Sequence, residues 1–206
     1  MTSREAHGFL HLYTKRSGPR TLLLLHGTGG DERDLLPLAD YLDPSAHILS
    51  PRGNVTEGGM PRFFARLRPG VFDTDEVRTR AAELASFVPA AAGDYGFDTG
   101  SVWAVGFSNG ANVAAATLLQ EPGIFAGAIL LRPMLAVEPE TVPDLSGTPV
   151  YAACGTRDEM ITHESTEALL EHLEAAGADV TAAWSDAGHR FGEEELEDAR
   201  NWLSKR

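Results

Sequence analysis

Apolar and polar positions alternate along this chain in two patterns. Short, nearly continuous apolar runs are separated by longer stretches whose apolar residues recur three or four apart. Residues 9–13 read as a first strand. Residues 21–26 form an almost unbroken apolar run ending at Gly27, Gly29 and Gly30, as expected of a strand covered on both faces. Further strands are expected at 46–50, 101–107, 125–131, 149–154 and 179–184. Helical spacing marks 33–42, with apolar residues at 35, 36, 38, 39 and 42. It also marks 74–87 (continuing towards 92), the alanine-rich 109–120, 164–176 and 193–204. Strands alternating with helices imply βαβ crossovers. The expected class is therefore α/β: a mostly parallel central sheet of about seven strands, helices on both faces and no large lid domain.

The stretch 51–73 breaks this rhythm. It is rich in Gly, Pro and Arg, and within 51–70 Arg52, Arg62, Arg66 and Arg68 face Glu57 alone, a local net of +3. One reading is a solvated connection with a short helix over 61–68. The other follows from Met60, Phe63 and Phe64, which are too apolar for an exposed loop. On that reading they wall a ligand pocket, with Met134 opposite, because segments after the carboxyl ends of parallel strands build the ligand crevice. Arg52 and Arg132 would flank its mouth and hold a carboxylate or phenolic oxygen. Alternatively, both arginines pair with structural acids.

Composition narrows the class. The 206 residues suggest one domain over 1–206, large enough to shrink from roughly 32,000 Å² of exposed surface to about 9,000 Å². With 43% hydrophobic and 23% charged residues and no repeat, collagen-like, disordered and coiled-coil classes are excluded. A net charge of −13 argues against nucleic acid and against stable membrane association. Cys154 is the single cysteine, so neither an intramolecular disulfide nor a multi-cysteine metal site is available. Residues 1–11 lack the apolar core of a secretory signal, and no run approaches the ~20 residues of a membrane span. The expected address is the cytoplasm.

Candidate chemistry centres on Gly106-Phe107-Ser108-Asn109-Gly110. This fits G-x-S-x-G, with an expected strand before it and a helix after it. A serine N-cap beside two packing glycines would have the same spelling. As a nucleophile, Ser108 needs a base. In enzymes with such an elbow, an acid and then a histidine follow in chain order. Of seven histidines, His189 lies after the last expected strand, whereas His163 and His172 lie in a helical region. Asp158, after the strand at 149–154, is the candidate acid, and Asp186 and Glu159 are its rivals. Oxyanion donors are expected from the backbone of Asn109 and of Thr28, in the loop His26-Gly27-Thr28-Gly29-Gly30. His26 itself reads as a packed residue shaping that loop. No P-loop, dinucleotide fingerprint or metal-ligand spacing is present, so no cofactor and no metal are expected. Cys154 reads as a small core residue.

These motifs resemble the α/β-hydrolase superfamily, and within it the phospholipase/carboxylesterase family of small lidless serine hydrolases. The likeness lies in Leu-Leu-Leu-His-Gly-Thr-Gly-Gly-Asp-Glu from residue 23, Gly-Phe-Ser-Asn-Gly, Gly-Thr-Arg-Asp and Ala-Gly-His. Ser50-Pro51-Arg52-Gly53-Asn54, Met60-Pro61-Arg62-Phe63-Phe64 and Leu131-Arg132-Pro133-Met134 look like a bacterial branch of carboxylesterases, some associated with quinone and hydroquinone responses. The resemblance implies hydrolysis of a small-molecule ester or thioester through an acyl-serine, without a cofactor. It carries the catalytic roles onto Ser108, Asp158 and His189 and the oxyanion donors onto Thr28 and Asn109. Asn109 stands where eukaryotic acyl-protein thioesterases usually have Gln. The competing functions are an acyl thioesterase or lysophospholipase and, as a different class, a non-catalytic binding module. Homodimerisation is compatible with each.

Overall fold

The structure, a computed structural model, describes residues 2–68 and 70–206. The chain runs β1 (Arg4–Ala6), β2 (Phe9–Thr14), β3 (Thr21–Leu25), α1 (Leu36–Leu42) and β4 (His47–Pro51). Four short strands follow: β5 (Val55–Glu57), β6 (Met60–Arg62), β7 (Arg66–Arg68) and β8 (Val71–Phe72). The remainder is α2 (Thr74–Tyr95), β9 (Val102–Phe107), α3 (Asn109–Gln120), β10 (Gly127–Leu131), β11 (Pro149–Gly155), α4 (His163–Ala175), β12 (Asp179–Ser185) and α5 (Glu193–Leu203).

Among the described residues the central sheet has eight strands, in the order β1-β2-β4-β3-β9-β10-β11-β12. The run from β4 to β12 is parallel, while β1 and β2 add an antiparallel edge. The strand that the sequence pattern did not reveal is β1. It is polar and largely exposed at the edge, so it carries no apolar alternation.

Side-chain alternation divides the core. Leu23 and Leu25 of β3 face α2, α3 and α4, whose Leu84, Val113 and Leu169 are buried there. Leu22 and Leu24 face the other way, against Leu38 of α1 and Trp202 of α5. α3 is buried from Asn109 to Leu119, which explains its run of alanines: small side chains let it lie close between the sheet and α2. α2 starts where the Asp73 side chain accepts from the Asp75 and Glu76 amides, and it ends at Gly96 with φ 72°. It passes through Pro89, beyond the expected 87–92. Phe87, Val88, Ala91 and Ala92 are buried around this proline, and their packing carries the helix past the missing amide. Accessible surface totals 9017 Å². No helix among the described residues is long and apolar enough to cross a membrane.

The 51–73 connection holds no helix over 61–68. It folds into two hairpins, β5–β6 and β7–β8. The first turns at Gly58 and Gly59, both with positive φ, between the paired Glu57 and Met60. A Gly-Gly pair between two extended segments is a hairpin signal. Pro61 and the mixed polarity of these three-residue strands obscured it. Phe63 and Phe64 follow β6 directly and plunge into the core.

Candidate active site

The carboxyl edge of the parallel sheet gathers the candidate residues. β9 ends at Phe107 and α3 begins at Asn109, so Ser108 alone makes the turn, with φ 52° and ψ −116°. This left-handed backbone is unfavourable for any residue but glycine and is held by its surroundings. A Cβ on Gly106 would lie 2.6 Å from the Ala111 nitrogen and the Gly110 carbonyl oxygen. One on Gly110 would collide with the Leu25 carbonyl oxygen. Both glycines are therefore steric requirements of a tight strand-to-helix turn. The Ser108 amide donates to the Leu131 carbonyl at 2.9 Å, which fixes the turn against β10.

Ser108 Oγ lies 3.0 Å from His189 Nε2, and His189 Nδ1 lies 2.8 Å from Asp158 Oδ2. A carboxylate accepts, so Nδ1 bears the hydrogen and Nε2 is left to accept from the serine hydroxyl. Asp158 is anchored from behind: its Oδ1 accepts from the Met160 and Ile161 amides at 2.8 and 3.1 Å, and its side chain is only 2% exposed. The rival Asp186 points to solvent and pairs with Arg157 at 2.6 Å. Glu159 is exposed on the rim of the cleft. Thus three side chains from the ends of β9, β11 and β12 meet in one line.

The Thr28 loop follows β3 beside this line. His26 is buried, and its Nε2 accepts from the Gly53 amide at 2.9 Å. An amide can only donate, so Nδ1 carries the hydrogen, donated to the Gly27 carbonyl at 2.7 Å. Burial lowers the His26 pKa and favours this neutral form. The β6 strand pins the same loop: Gly29 donates to the Pro61 carbonyl at 2.9 Å, and the Arg62 guanidinium bonds the Thr28 hydroxyl. The Asn109 side chain ties the elbow to the segment after β6, accepting from the Phe63 amide at 2.7 Å and donating to the Phe64 carbonyl.

Over these groups opens a cleft of about 390 Å³. Met134, Phe72 and Ile161 supply apolar lining; Arg62, Arg66 and Asn112 supply polar lining. Only Met134 of the expected pocket residues lines it. Phe63 and Phe64 are 2% and 0% exposed and belong to the core. They support the cleft from below because the Asn109 amide holds their backbone. Met60 is half-exposed and lies against Gly29. Arg52 does not flank the mouth: it bonds buried Glu32 at 2.6 Å. Arg132 does not either, being wholly buried in contact with Glu195 and three backbone carbonyls. Both arginines are paired with acids, Arg52 with Glu32 and Arg132 with Glu195. The guanidiniums that do reach the cleft are Arg62 and Arg66, joined by Glu57, which accepts from Arg66 Nη2 at 2.7 Å. The charge excess of 51–70 was their signal in the sequence. Asn112 had one too, lying four residues after Ser108 on the same helix face.

Cys154 is buried in β11, and burial pushes its thiol pKa up to about 12, so it offers no thiolate. Among the described residues, no three His, Cys, Asp or Glu side chains gather as a metal site requires.

A parallel sheet flanked by helices, with a lone serine turning sharply from strand to helix at its carboxyl edge and no large lid insertion among the described residues, is an α/β-hydrolase fold. The chain belongs to the phospholipase/carboxylesterase family, whose model matches residues 14–206. It is 45% identical to MhqD of Bacillus subtilis over 195 residues, covering 95% of this chain and 98% of that one. The carboxylesterase of Bacillus cereus is similar in structure, with a TM-score of 0.93 at 43% identity over 96% of this chain and 94% of that one. A carboxylesterase from Mesorhizobium loti gives 0.91 at 31% identity over 97% and 96%. Membership makes this chain a serine hydrolase.

Proposed function

We propose that the chain is a carboxylesterase of small acyl esters, working through an acyl-serine formed on Ser108. The observation that carries this reading is the unbroken line from Ser108 Oγ through His189 to Asp158, with contacts of 3.0 and 2.8 Å. His189 Nε2 takes the hydroxyl proton as Oγ bonds to the ester carbonyl carbon, then gives it to the departing alkoxide. Water, deprotonated by the same nitrogen, attacks the acyl-serine, and collapse returns the acid and the free serine. Asp158 holds the imidazole in the tautomer this needs and stabilises the imidazolium. The backbone amides of Thr28 and Asn109 are the donors to the oxyanion, at the amino end of α3 where negative charge is favoured.

Cleft size and the absence of a large lid among the described residues support short acyl groups. Arg62 and Arg66 give one wall to an anionic or phenolic oxygen. The reading needs no cofactor, metal or nucleic acid, and places the whole of 1–206 in one catalytic unit.

The test is a panel of p-nitrophenyl esters and acyl-CoAs of rising chain length, run on wild type and Ser108→Ala. Turnover is expected for short esters and lost in Ser108→Ala, with a fluorophosphonate adduct on the Ser108 peptide. Faster turnover of acyl-CoA than of any ester would move the reading to a thioesterase. In the same panel, Arg66→Gln should raise KM for a carboxylate-bearing ester several-fold more than for its neutral analogue. An equal change for both would deny Arg66 that role.

A further inference from the structure

Arg132 is the largest side chain among the fully buried described residues, and the hydrolytic steps do not use it. It follows β10, the strand between those that deliver Ser108 and Asp158, and its own backbone is left-handed, with φ 55°. This conformation turns the side chain under the loop between β12 and α5. Its guanidinium makes four hydrogen bonds there and one further close ion-pair contact. Nε donates to the Gly188 carbonyl at 2.8 Å and Nη2 to the Arg190 carbonyl at 2.9 Å. These are the carbonyls on either side of His189. Nη1 donates to the Ala153 carbonyl of β11 at 3.1 Å. Nη2 also donates to Glu195 at 2.9 Å, and Nη1 pairs with the other Glu195 oxygen at 2.8 Å.

Glu195 is itself tied down, accepting from Ser185 Oγ at 2.7 Å and from the Gly192 amide at 2.8 Å. Burial alone would raise its pKa. The bonds from Arg132, Gly192 and Ser185 outweigh burial and hold it below the ordinary range, so the carboxylate stays charged opposite the guanidinium. The neighbouring backbone is equally close: a Cβ on Gly155 would lie 2.7 Å from the Gly188 carbonyl oxygen and 3.2 Å from Arg132 Nε.

We propose that Arg132, locked by Glu195, is the positioning residue of His189: one rigid planar group grips the carbonyls before and after the histidine and ties them to the end of β11. This rests on the acyl-serine reading above, in which His189 is the base. A fork fits the task because a planar guanidinium spans two carbonyls at fixed angles, whereas an ammonium is a point donor. A loop histidine that must serve Ser108 on one side and Asp158 on the other tolerates little drift, since about 1 Å of misplacement can cost on the order of 100-fold in rate.

Two variants test the proposal. Arg132→Lys keeps the charge and loses the fork. Glu195→Gln keeps the side chain's shape and weakens the lock. For each, kcat and KM for a p-nitrophenyl ester are measured per folded molecule, with circular dichroism giving the folded fraction. Proton NMR follows the far-downfield resonance of the His189–Asp158 hydrogen bond. In Arg132→Lys, kcat should fall about 10- to 100-fold with KM within about threefold, and the resonance should broaden or vanish although the protein is folded. Glu195→Gln should show the same pattern more weakly. Wild-type kcat with an unshifted resonance would overturn the proposal. So would failure of both variants to fold, which would make the pair a support of the fold alone. If only Arg132→Lys is unfolded, Glu195→Gln decides by the same two readouts. Ser108→Ala separates the layers: full activity there defeats the acyl-serine reading itself. Lost activity there, with wild-type kcat in the two variants, defeats only the positioning role.

Discussion

Asp158 contacts His189 and Asp186 lies three residues before it in the sequence, and their surroundings differ. Asp158 is enclosed, with two amides on one oxygen and the imidazole on the other. Asp186 is 78% exposed and paired outward with Arg157. Replacing Asp158 by Asn should preserve packing but offer an amide where the imidazole needs an acceptor. The expected loss in kcat is about four orders of magnitude, with the protein folded. Asp186→Asn should stay within a few-fold of wild type. Steady-state kinetics on both variants checks this, and the reverse ranking would exchange their roles. Chain order favours the segment after β11, where Asp158 stands beside its rival Glu159, with Asp186 a second rival, because the elbow arrangement puts the acid after the strand that precedes the last crossover. What it could not show was the anchoring by the Met160 and Ile161 amides, a contact made only once the loop has folded.

At the scale of elements, the 51–73 connection separates what composition can say from what packing decides. Of the three residues whose apolarity suggests burial, Phe63 and Phe64 pack in the core beneath the cleft and not in its wall, while Met60 stays 41% exposed. Phe64 is wholly buried and packs edge-on against Phe72 at 5.1 Å. Phe64→Ala should therefore cost about 3–5 kcal/mol of stability, read as a lowered denaturant midpoint, without reordering the preference among ester chain lengths. A preference shifted to longer chains at unchanged stability would make Phe64 a pocket wall after all. The hairpins were hidden because strands of two or three residues are too short to show a period, and the turn signal of the first was a single Gly-Gly pair. The long crossover elements were legible for the opposite reason: many residues repeat the same amphipathic signal.

Across the whole molecule, the −13 charge is not evenly available to solvent. Glu32 is 2% exposed, beneath Arg52 at 2.6 Å and the Ser3 hydroxyl at 2.6 Å. Burial alone would raise its pKa, but the bonds from Arg52 and Ser3 overcome this and bring it down to about 2 from an ordinary 4.5. The folded value lies below the unfolded one, so the stabilisation is complete above pH 4.5 and is lost as pH falls towards 2. It amounts to something on the order of 3 kcal/mol at neutral pH. Glu32→Gln should lower Tm at pH 7, and the gap to wild type should close as the pH approaches 2–3. A gap constant from pH 7 to 3 would mean that the carboxylate's charge contributes nothing. Through these bonds Glu32 ties the segment before β1 and the residue after β4 to the loop after β3.

The sequence by itself determined the α/β class, the order and nature of the long elements, and the serine turn with its two glycines. It did so because these rest on local rules: side-chain period, backbone freedom at glycine, and chain order around an elbow. It also carried the family likeness, through short contiguous motifs. The tertiary structure alone decided which arginine does what. Arg52, Arg62, Arg66 and Arg132 carry the same charge in the sequence, and each could face a ligand or a structural acid. Their placement was set by partners 20 or more residues away, Glu32 for Arg52, Thr28 for Arg62 and Glu195 for Arg132, while Arg66 reaches the cleft only because a hairpin folds it there. Burial and pairing are properties of the packed molecule: a guanidinium is costly to bury until its acceptors are assembled around it, and no local pattern records which distant segment will bring them.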